Sequence, residues 1–124
     1  MPGQADFPAV FARLKKILKV YEPNLVVKHD EPDNYYLNTH YSEKWRKELF
    51  FGAATIKKNY VSFYLMPVYI YPDLLEGLSP GLRRHMQGKA CFNFKGIDEA
   101  LFEELARLAQ TSVRRVQAEN LLEN

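Results

Sequence analysis

With 124 residues, 47% of them hydrophobic and 26% charged, the chain has the size and composition of one globular domain, which excludes a disordered segment. A formal charge of +2 falls short of the imbalance expected of a dedicated nucleic-acid binder, and a single cysteine, Cys91, excludes an intrachain disulfide. No apolar run approaches the ~20 residues of a membrane-spanning helix, and residues 1–6 lack a basic segment followed by an apolar one. The reducing cytoplasm is therefore the expected compartment.

Asp6 can cap a helix in which Pro8 is tolerated, because first-turn amides lack intrahelical partners. Phe7, Val10, Phe11, Leu14, Ile17, Leu18 and Tyr21 recur at three- and four-residue steps and predict one apolar stripe. Arg13, Lys15, Lys16 and Lys19 lie off it, and Pro23 blocks continuation. Residues 25–30 and 35–41 read as two strands joined by the turn residues Glu31, Pro32, Asp33 and Asn34. A polar connection over 42–47 contains Trp45. Residues 48–57 and 60–66 form a second hairpin turning at Lys58 and Asn59, where Asn tolerates a left-handed backbone.

Residues 67–72 read as an extended, proline-bounded aromatic segment, and 73–76 as one helical turn. Ser79 caps a short helix with Pro80 at its first position and Gly88 past its end. Residues 89–95 form a fifth strand with Phe92 and Phe94 on one face. Asp98 or Gly96 opens a last helix lined by Leu101, Phe102, Leu105, Leu108, Ala109, Val113 and Val116, with a fraying tail over 118–124. The predicted order is α-β-β-β-β-α-β-α. That is an α+β domain with a largely antiparallel five-stranded sheet and helices on one face.

A two-residue turn in the central hairpin sets Gly52 opposite Leu65, Ala54 opposite Phe63 and Ile56 opposite Val61. Phe50 joins these on an apolar face, which is the expected core. The other face carries Phe51, Thr55, Lys57, Tyr60, Ser62, Tyr64 and Met66, a mixture suited to a surface without a helix over it.

Several stretches resemble the YdhG-like family, a bacterial domain of unknown function. They are Phe51-Gly52, Ile56-Lys57-Lys58-Asn59-Tyr60-Val61-Ser62, Met66-Pro67-Val68-Tyr69 and Gly88-Lys89-Ala90-Cys91-Phe92-Asn93-Phe94-Lys95, with an acidic, Leu-rich helix following the last. The resemblance covers roughly the last two-thirds of the chain. It implies a small α+β fold and brings no catalytic residues. It also implies a second hypothesis, since one relative is described as a frataxin-like iron chaperone. Frataxins present acidic residues on their first helix, whereas this helix carries Arg13, Lys15, Lys16 and Lys19.

His29 and His40 stand roughly 13 Å apart in the expected hairpin register at ~3.3 Å per strand residue, too far to share an ion. Asp30, Glu31 and Asp33 offer hard oxygen ligands but lack the spacing and glycine of an EF-hand. Cys91 has no recognisable partner order for nucleophilic catalysis. The glycines have the wrong spacing for a phosphate loop. The expected role is a non-enzymatic binding or interaction domain without metal or cofactor. Its expected surface is Phe51, Lys57, Tyr60, Tyr64, Met66 and Tyr69, with Trp45 closing the edge. A homodimer centred near Tyr64, or a small ligand, would cover these aromatics; nucleic acid and membrane are not expected partners.

Overall fold

The computed structural model describes residues 6–119. Helix α1 (Phe7–Lys19) leads into strands β1 (Val26–Glu31), β2 (Asn34–Asn38), β3 (Phe50–Ile56) and β4 (Val61–Leu65). Two single-turn helices, α2 (Pro67–Ile70) and α3 (Pro80–Arg83), then precede β5 (Cys91–Phe94) and α4 (Glu99–Ala118). The strands lie in the order β1-β2-β3-β4-β5, and every neighbouring pair is antiparallel. The α+β architecture expected from the sequence is the one observed. The tail expected to fray falls from residue 120 onward outside the described residues, and α4 runs unbroken through Ala118.

Helices α1 and α4 cover one face of the sheet. From α1, Phe7, Val10, Phe11, Leu14 and Leu18 are buried; from α4, Phe102, Leu105, Leu108, Ala109, Val113 and Val116 are. These stripes meet Tyr35, Leu37, Ala54, Val61, Phe63, Leu65, Phe92 and Phe94 in one apolar cluster. Each large apolar side chain so buried contributes roughly 1.5–3 kcal/mol. Asp98 caps α4, its Oδ1 accepting from the Leu101 N–H at 3.1 Å. Ser79 caps α3 through the Leu82 N–H and also donates to Glu104 Oε1 at 2.6 Å, which ties α3 to α4. Asp6 occupies the N-cap position of α1, but its side chain makes no capping bond.

The structure departs from the sequence reading at four places. Residues 67–72 are not extended. Pro67 begins α2 and Pro72 begins a 3-10 turn, because proline at a first helical position forfeits no hydrogen bond. Helix α3 ends at Arg83, so Gly88 (φ 85°) shapes the lead into β5 rather than the helix end. The β3–β4 turn closes as a two-residue turn requires, with Lys57 N–H on the Tyr60 carbonyl, but Asn59 is not left-handed. Among the described residues the one non-glycine with positive φ is Arg46 (60°), inside the loop that Ser42 and Lys47 close.

The fourth departure decides which aromatic ring goes inside. The β3–β4 register is the expected one, with Gly52 opposite Leu65 and Ala54 opposite Phe63. Toward β2, however, Leu37 pairs with Gly52 while Asn38 pairs with Phe50, so Phe51 is an extra residue in a β-bulge. The bulge reverses the alternation that places Phe51 outside. Phe51 is 1% exposed within the core, and Phe50 moves to the helix-free face.

Candidate functional site

Strand register lays out the helix-free face in rows. Tyr36, Ala53, Tyr64 and Cys91 pair successively across β2, β3, β4 and β5. The next row is polar: Asn34, Thr55, Ser62 and Asn93. Phe50 stacks on Tyr36 at 4.7 Å between ring centroids and meets Tyr64 edge-on at 6.3 Å. His29 adds an edge contact to Tyr36 at 5.6 Å. Such pairs are worth about 0.5–1.5 kcal/mol beyond the area they bury. The rings shield one another: Tyr36, Phe50 and Tyr64 are each half-buried, and Ala53 is only 2% exposed. The bare apolar patch expected here is therefore partly closed by its own side chains.

The polar row is internally bonded. Thr55 Oγ1 donates to Asn34 Oδ1 at 3.2 Å. Asn93 Oδ1 accepts from both Ser62 Oγ, at 2.6 Å, and Cys91 Sγ, at 3.3 Å. Burial pushes the Cys91 thiol up, with hydrogen bonds to Ser62 and Tyr64 and the charge of Lys57 opposing. The sulfur is thus a protonated donor rather than a thiolate.

Of the residues expected to form the surface, Tyr64 lies centrally on the face. Lys57 is exposed and Tyr60 half-buried at the β3–β4 turn. Met66 is half-buried where β4 gives way to α2. Phe51 does not belong, being the bulge residue in the core. Tyr69 is exposed on α2 with Lys89 Nζ 5.9 Å from its ring, and Trp45 is exposed in the 42–47 loop beside Lys44. Neither lies in the sheet. Sequence reasoning missed Tyr36 and Phe50. The alternation of β2 points Tyr36 outward, but Phe50 needed the bulge to be known.

The acidic residues offered for metal handling are separated in their bonding. Lys15 of α1 holds Asp30 at 2.7 Å and keeps its carboxyl below the ordinary value. Glu31 lies 3.3 Å from His29. Among the described residues no three His, Cys, Asp or Glu side chains converge on a common point. The basic helix is largely neutralised too: Arg13 grips Glu99 with both terminal guanidinium nitrogens, and Lys19 reaches Glu22. Lys28 and Arg115 pair with Glu48 and Asp73.

At the β5 edge the charges are arranged differently. Residues 85–87 run beside β5, with Asn93 N–H on the His85 carbonyl and Gln87 N–H on the Cys91 carbonyl, both 2.9 Å. A cleft of about 430 Å3 opens there, lined by Tyr60, Arg84, His85, Gln87, Asn93 and Lys95. The lining contains no carboxylate, and Arg84 and Lys95 make no ion pair among the described residues. His85 Nδ1 lies 2.8 Å from the Asn93 carbonyl oxygen. A carbonyl only accepts, so Nδ1 carries the proton and Nε2 is left without a partner among the described residues. Stacking on Phe94 at 4.5 Å fixes the ring. A further cleft of about 330 Å3 between α1 and α4 is lined by Arg13, Ile17, Val20, Tyr21, Phe102 and others.

No helix among the described residues is long and apolar enough to cross a membrane. Comparison of the chain with protein-family models, with curated proteins and with solved structures returned no match.

Proposed function

We propose that this domain is a non-enzymatic binding module of the reducing cytoplasm, and that it takes its ligand on the helix-free face of the sheet. The observation that carries the reading is the juxtaposition of the Tyr36–Phe50–Tyr64 ring cluster with the bonded polar row Thr55, Ser62 and Asn93. A face of rings with fixed polar neighbours suits an aromatic or planar ligand. Membership of the YdhG-like family is part of the same proposal. Its support is the resemblance of the Gly88–Lys95 stretch. Titration of the labelled protein with indole, followed by amide and aromatic NMR, tests the binding reading. Signals of Tyr36, Phe50, Tyr64 and Ser62 should move while those of α1 stay still; an unmoved face rejects the proposal.

Self-association through the same face is the second reading. It is favoured by the contiguity of the three rings, which a two-fold axis near Tyr64 would bury twice. Sedimentation equilibrium should then give a dimer for the parent and a monomer for Tyr64→Glu, where like charges would meet. A parent that stays monomeric at high micromolar concentration removes this second reading and leaves the ligand-binding one.

A further inference from the structure

We infer that the cleft at the β5 edge binds the phosphoryl group of a small phosphomonoester. This inference rests on the binding-module reading, because the cleft shares Asn93 with the polar row of the open face. Five of the molecule's basic side chains are tied to carboxylates, at Glu99, Asp30, Glu22, Glu48 and Asp73. The cleft instead concentrates Arg84 and Lys95 with no acid among its lining residues. Two unopposed cations converging on one concavity raise the local concentration of anions and match a dianion better than a single carboxylate.

The neutral groups favour the same ligand. Asn93 has its amide orientation set, because Oδ1 takes the protons of Ser62 and Cys91 and leaves Nδ2 as the unengaged donor. Tyr60, Gln87 and the outer nitrogen of His85 complete the lining. Nε2 accepts from a protonated phosphate oxygen or, when the ring is charged, donates to an ionised one. Several donors around a concavity fit the three oxygens of a phosphoryl group, and an Arg fork engages two of them at once. A volume of about 430 Å3 leaves room for a small organic group toward Tyr60.

The test compares potassium phosphate with potassium chloride at matched ionic strength, following the side-chain signals of His85, Asn93 and Gln87 by NMR. Phosphate should shift them saturably and chloride should not. Arg84→Gln and Lys95→Gln, both at exposed positions, should each weaken the effect about tenfold while leaving the fold intact. Equal responses to the two salts, or phosphate binding undiminished in the double variant, would overturn the assignment. So would a single-stranded oligonucleotide that displaces phosphate and binds with steep salt dependence, since that response marks a polyanion track. Indole shifts at Tyr64 that persist without any phosphate effect would reject this inference alone; loss of both would reject the underlying reading as well.

Discussion

Leu18 of α1 sits directly over Gly52 of β3. A Cβ on Gly52 would lie 3.3 Å from Leu18 Cδ2 and 2.8 Å from the Tyr64 carbonyl oxygen. The absent side chain is what lets α1 close on the sheet, and the oxygen that a larger residue would strike belongs to the strand carrying Tyr64.

Gly52→Val should therefore destabilise the protein by about 1–3 kcal/mol through overpacking. Urea unfolding measures it as a lowered midpoint with an unchanged slope. An unchanged midpoint would mean that α1 does not approach β3 as described.

The bulge at Phe51 makes a second contrast. Phe51→Ala should cost about 3–5 kcal/mol, the range for a buried aromatic, while Phe50→Ala should cost less because its ring is half-exposed. Strict alternation along β3 requires the opposite ranking, so paired unfolding curves decide between the two registers.

These two strands show what the sequence could and could not disclose. The two-residue turn at Lys58 and Asn59 was enough to set the β3–β4 register, with Gly52 opposite Leu65 and Ala54 opposite Phe63. The bulge was hidden because Phe50 and Phe51 are the same residue type, so no hydropathy difference marks which one turns inward. The charge pattern of α1 was legible, but its partners were not: Glu99 is 86 residues from Arg13, and only the tertiary fold brings them together. The β5-edge cleft was invisible for the same reason, since Tyr60, Arg84 and Lys95 come from three separate segments.

Tyr35 supplies a pH dependence on both sides of neutrality. Its hydroxyl donates to Glu22 at 2.6 Å. That bond, with Lys19 assisting, lowers the Glu22 pKa against an opposing cost of burial. Burial and the carboxylate of Glu22 raise that of Tyr35. A depressed carboxyl contributes stability above the ordinary Glu value of about 4.3, lost as pH falls through its folded value. A raised phenol contributes stability below the ordinary Tyr value of about 10, lost as pH rises toward its folded value. Tyr35→Phe should flatten both limbs of a plot of urea midpoint against pH. Unchanged limbs would show that the Tyr35–Glu22 bond is not formed in solution.

Cys91 should be a poor nucleophile, since burial raises its thiol pKa. Alkylation by iodoacetamide at neutral pH, followed by mass spectrometry, should run at least about tenfold slower in the native protein than in urea. Equal rates would mean that the thiol is exposed and its pKa is not raised by burial.

The most direct measurement is chemical-shift mapping with phenyl phosphate, which carries a ring and a dianion in one molecule. The expected result is one continuous track of shifted signals from Tyr64 through Ser62 and Asn93 to His85 and Lys95, saturating together. Shifts confined to the α1–α4 cleft around Ile17, Val20 and Phe102, or none at all, would contradict a binding role for the helix-free face.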